Sequence, residues 1–146
     1  MTESELRAEL ALPAYAGKTA QQKTDMLNAP KAGVEFPVIV PKGTVLAVMA
    51  RVPQRIATLS AAGQAECTQT LANIRSLEQG LYTWLPDGHP LKANTAYGFD
   101  RAVELGAMIA EEKTLLETLG KRTGSRAEEL WGEGTSVSLN DVARVS

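Results

Sequence analysis

The chain predicts a mainly α fold, a small helical bundle of about five to seven helices. It carries an extended arm or loop at 34–40 and a short extended segment near its C-terminal end. Three observations point there. Apolar residues recur at three- and four-residue steps over most of the chain. Box-like helix openings of the form S/T-x-x-E/Q stand at Thr2–Glu5, Thr19–Gln22 and Ser125–Glu128. Aromatics are only 5% of a chain that is 44% hydrophobic, so alanine and aliphatic side chains do the packing, which favours helices over sheets.

Each element has its own local reason. Thr2 opens a helix from Glu3 to Leu12 with Leu6 and Leu10 on one face, stopped by Pro13. Thr19 opens a second, of about two turns, that turns Met26 and Leu27 inward and ends at Asn28 and Pro30. The texture then changes over 31–42. Val34, Phe36, Val38 and Val40 alternate, a strand-like period. Pro37 and Pro41 cannot donate to a sheet ladder, and the flanking helices offer no strand partner. The segment is therefore either an extended arm that finds a partner in another chain or a loop over its own core.

Thr44 is the expected N-cap of a helix carrying Val45, Val48 and Met49, interrupted at Pro53. Ser60 caps a helix from Ala61 to Leu81, whose face is Cys67, Leu71, Ile74, Leu77 or Glu78, and Leu81. The stretch 85–97 is turn-rich around Pro86, Asp87, Gly88 and Pro90. One strong helix is expected from Asp100 to Leu119, buried through Leu105, Met108, Ile109, Leu115, Leu116 and Leu119. Gly120 ends it, with Lys121 and Arg122 near its negative end. After the Ser125 helix, 135–139 reads as a short strand, and Ser138 or Asn140 caps a last turn, Asp141 to Arg144.

Length predicts one domain, 1–146, with the arm or loop inside it. The formal net charge of −2 lacks the basic excess of a duplex-binding protein. The lone Cys67 precludes an internal disulfide and suits a reducing compartment. No apolar run is long enough for a membrane span, and MTESELRAEL does not read as a signal peptide, so a soluble protein made in the cytoplasm is expected.

Chemistry-bearing sets are thin, and no catalytic, cofactor-binding or metal-binding residue is assigned. The lone His89 sits in a turn between Gly88 and Pro90, away from any protease-like setting of Cys67. One Cys and one His cannot make a structural zinc site. Glu111, Glu112 and Glu117 read as a solvated helix face, and Gly132-Glu133-Gly134 follows a helix rather than a strand. The candidate site is thus an interface: Val34, Phe36, Val38 and Val40 of the extended segment, the two large aromatics Trp84 and Trp131, each expected at a helix end, and Arg126 of the Lys121–Arg122–Arg126 basic cluster.

Both ends of the chain resemble a family of small structural proteins from tailed bacteriophages, found among head and tail morphogenesis genes. The matching residues are Leu6-Arg7-Ala8-Glu9-Leu10, Tyr15-Ala16-Gly17 and Leu27-Asn28-Ala29. At the other end they are Ser125-Arg126-Ala127-Glu128-Glu129-Leu130, then Val137, Asp141, Val142, Ala143 and Arg144. The chain departs from that pattern at Trp131, where the family has a smaller aliphatic residue or glycine. The resemblance covers roughly the first and last fifths of the chain. It implies a virion part, a head–tail connector or neck adaptor made in the host cytoplasm. Its partners would be further copies of itself in a ring, the portal, and other neck or tail proteins, with no membrane and no sequence-specific nucleic acid, although a ring lumen could pass DNA. A tail-completion or head-decoration protein belongs to the same class. A small helical DNA-binding regulator is the alternative from another class, and would need a basic recognition helix.

Overall fold

A computed structural model describes residues 1–75 and 80–146, with side chains described except at 71–75 and 94–97. The chain folds as two compact units: a terminal unit, Met1–Glu35 with Thr123–Ser146, and an inserted unit, Phe36–Arg122. Chain length, which predicts one domain, carries no information on such an internal division.

The terminal unit is built from short helices. They are α1 (Glu3–Leu10), α2 (Ala20–Asn28), α8 (Arg126–Trp131) and α9 (Leu139–Val145), with a 3-10 turn at Pro13–Tyr15. All four helices open on a complete capping box: Thr2 with Glu5, Thr19 with Gln22, Ser125 with Glu128 and Ser138 with Asp141. Leu6, Leu10, Tyr15, Leu27, Ala127, Val137, Val142 and Val145 form the core, and Trp131 packs on it. Met26, expected inside, is exposed, because the helix turns Leu27 rather than Met26 onto this core.

The inserted unit holds α3 (Lys42–Val48), α4 (Val52–Ile56), α5 (Ala61–Arg75), α6 (Lys92–Glu104) and α7 (Ala110–Leu119). Its core runs through Val45, Met49, Val52, Cys67, Phe99, Met108 and Leu116. Ser60 caps α5 through the Gly63 N–H, 3.2 Å from its Oγ. Thr44, the expected cap of α3, lies inside that helix, which starts directly after Pro41. The Leu77-or-Glu78 step of the expected α5 face falls outside the described residues, as do the Leu71 and Ile74 side chains.

The expected Asp100–Leu119 helix is two helices. Gly106 has φ +84°, its N–H donates to the Val103 carbonyl at 3.1 Å, and the Ala107 N–H reaches the Ala102 carbonyl at 2.9 Å. This is the paired bonding of a Schellman stop, which a left-handed glycine permits without Cβ strain. The break re-phases the second helix: Leu116 is fully buried, whereas Ile109, Leu115 and Leu119 are exposed.

The mainly α, small-helical-bundle class does not hold. The fold is mixed: beside its helices, four strands among the described residues form two small antiparallel sheets. Strand β1 (Pro30–Pro37) pairs with β4 (Lys121–Ser125). β2 (Ile39–Val40) pairs with β3 (Leu81–Tyr82), in the register Ile39↔Tyr82 and Val40↔Leu81. The 34–40 segment is thus neither a loop nor an arm without a partner in its own chain; β4 and β3 supply its partners. β4 is polar and contains Gly124, so nothing in its side chains announces a strand. Conversely, 135–138 is not a strand. The Asn28 side chain takes both backbone groups of Val137, donating to its carbonyl at 2.7 Å and accepting its N–H at 2.9 Å.

Candidate functional site

The seven candidate residues divide between the units. In the terminal unit, Val34 is buried and Trp131 is half-buried against the core. Arg126 starts α8, where the Ser125 box fixes its backbone, and its guanidinium grips Glu9 bidentately, Nε to Oε1 at 2.8 Å and Nη2 to Oε2 at 3.0 Å. Its third bond, Nη1 to Glu129 at 2.7 Å, places the cation between two carboxylates. Tyr15 Oη donates to Glu9 Oε1 at 3.0 Å, and Lys31 completes the chain at 2.5 Å from Glu129. Glu9 is only 9% exposed.

The electrostatics follow from that geometry. Arg126 holds the Glu9 carboxyl below the usual carboxylate range, against the opposing effect of burial, with Tyr15 adding a donor. Burial first, and the Glu9 carboxylate second, push the Tyr15 hydroxyl up to about 12. The bonds of Arg126 to Glu9 and Glu129 raise its own pKa. Arg126 is therefore a stay inside its own unit.

In the inserted unit, Val40 is a core residue at 2% exposure. Phe36 lies under the Arg122 guanidinium at 5.2 Å and Trp84 under the Lys121 ammonium at 5.4 Å, two cation–π contacts from successive β4 residues. Trp84 follows β3 and does not end a helix. The Val38 N–H donates to the Gly120 carbonyl at 2.8 Å.

That bond and a second one, from the Thr83 hydroxyl to the Leu116 carbonyl, draw β2, β3 and the end of α7 together. The same elements expose apolar side chains that the sequence does not mark as exposed: the cross-strand pair Ile39 and Tyr82, at 51% and 42% exposure, and, on α7, Leu115 and Leu119 at 48% and 40%. The alternation in 34–40 hints at Ile39, since the face opposite the valines must point elsewhere.

The remaining chemistry-bearing groups are engaged structurally. His89 Nδ1 accepts the Leu91 N–H at 3.1 Å, closing its turn. Cys67 is buried at a narrow apolar cleft lined by Met49, Ile56, Phe99 and Leu105, and burial pushes its thiol up. Glu112 pairs with Arg55 and accepts the Ile109 N–H, while Glu117 sits 3.7 Å from Lys113. Among the described residues no cluster of His, Cys, Asp or Glu has a metal-holding arrangement, and no helix is long and apolar enough to cross a membrane. The chain matches no protein-family model, no curated protein and no solved structure.

Proposed function

We propose that this chain is a structural protein of a tailed-phage virion, a head–tail connector (neck adaptor) subunit. It acts without catalysis, through contacts with further copies of itself in a ring, with the portal and with other neck or tail proteins. One observation carries the reading: the segments that resemble the phage family all fall in the terminal unit, and their residues are its scaffold. Ser125 caps α8, Arg126 holds Glu9, Ala127 is fully buried, Glu128 accepts the Gly134 N–H at 2.9 Å, and Glu129 holds Lys31. Leu6, Leu10, Tyr15, Leu27, Val137 and Val142 supply the core, and Asn28 fastens Val137. A motif most of whose members serve packing, capping or ion pairing suits a protein whose product is an assembly.

Copy number tests the reading. Quantitative mass spectrometry of purified virions is expected to give as many copies of this chain as of the portal protein. A count near that of the capsid or tail-tube protein would move the assignment to head decoration or tail completion. Absence from the particle would overturn the virion reading and return the helical DNA-binding regulator.

A further inference from the structure

We draw no further inference here: the strongest candidate, the exposed apolar patch of Ile39, Tyr82, Leu115 and Leu119 at the β2–β3 end of α7, has nothing in the structure to show what covers it.

Discussion

The two units are stabilised in different ways. In the terminal unit every helix has nine residues or fewer, below the ~12–15 residues at which an isolated helix becomes marginal in water. Each starts on a side-chain capping box, and a partly buried ion network ties α1 to α8. The larger inserted unit has three longer helices, α5, α6 and α7, and a core with two methionines and a phenylalanine; α3, α4 and α6 begin without a side-chain cap. The smaller the unit, the less apolar surface it removes from water per residue, so polar and local terms carry a larger share of its stability. The inserted unit has the larger apolar core beside its own ion pairs, Arg55–Glu112 and Arg101–Glu66 among them, and its backbone approaches closely where β3 meets α7.

The sharpest test takes one fully buried leucine from each core. Leu27 and Leu116 are both 0% exposed, and Leu→Ala at such sites costs about 2–5 kcal/mol. Hydrogen exchange read by mass spectrometry is expected to show Leu27→Ala lowering protection in α1, α2, α8 and α9, and Leu116→Ala lowering it in α3, α6 and α7. Equal loss everywhere from either variant would mean that the chain opens as one cooperative body and would erase the comparison.

Next in size is the Arg126–Glu9 pair. Removing one partner of a buried pair leaves an uncompensated charge, at a cost of about 3 kcal/mol or more; Arg126 is 28% exposed, which places Arg126→Ala at the lower end. Urea midpoints should show the double variant Glu9→Gln/Arg126→Ala recovering part of that loss, and a purely additive double variant would refute the coupling. The pair also has a pH signature. The folded pKa of Glu9 lies below the ordinary glutamate value of 4.5, so its contribution is complete above pH 4.5 and fades as pH falls through the folded value. Tyr15 has the opposite sign: raised from 10.0 to about 12, it contributes below pH 10 and loses that contribution as pH climbs through 12. The gap between wild type and Arg126→Ala should therefore be widest near neutrality and shrink in acid, while Tyr15→Phe should remove part of the alkaline loss.

The third test belongs to the inserted unit. A Cβ on Gly120 would collide with Thr83 Oγ1 and stand 3.0 Å from the Trp84 nitrogen. The Thr83 hydroxyl is held by the Leu116 carbonyl and the Trp84 nitrogen is backbone, so neither can step aside freely. Gly120→Ala is expected to cost about 1–3 kcal/mol, as overpacking does. Gly43→Ala is the control: it lies in α3 at an ordinary φ with nothing within 4 Å of the added carbon, and should raise Tm slightly. Equal Tm for both variants would remove the close approach from the account.

These contrasts also mark what could be read in the amino-acid order. The boxes at Thr2, Thr19 and Ser125 were legible because each is a local rule over four residues. The Glu9–Arg126 grip was not, since its partners lie 117 positions apart and Arg126 alone reads as part of a basic cluster open to another chain. β4 was invisible for a related reason: Lys121 to Ser125 has no apolar alternation, and only its partner makes it a strand. Gly106 was readable in principle, as a glycine inside an apolar run, but periodicity across it suggested one continuous helix and hid the exposure of Leu115 and Leu119. Of the candidate residues, Val34 and Val40 had the right period, which is equally the period of a strand packed on its own core.

The smallest single effects bear on the comparison most directly. Thr2→Ala, Thr19→Ala, Ser125→Ala and Ser138→Ala each remove one box from the terminal unit and should cost about 1 kcal/mol apiece. Ser125 should lie at the upper end, because its side chain is buried at 6% exposure and its loss strands the Glu128 N–H that it accepts at 3.2 Å. The four boxes sit on four different helices, so their costs should add nearly independently. The quadruple variant should then lose about as much as Leu27→Ala, without any change in core volume. In the inserted unit, Ser60→Ala should weaken α5 alone and leave α6 and α7 unchanged, because α6 starts without a side-chain cap and α7 starts on the Ile109 N–H bond to Glu112, neither of which involves Ser60. Equal hydrogen-exchange protection of α1, α2, α8 and α9 in the quadruple variant and the wild type would show that packing alone holds the small unit.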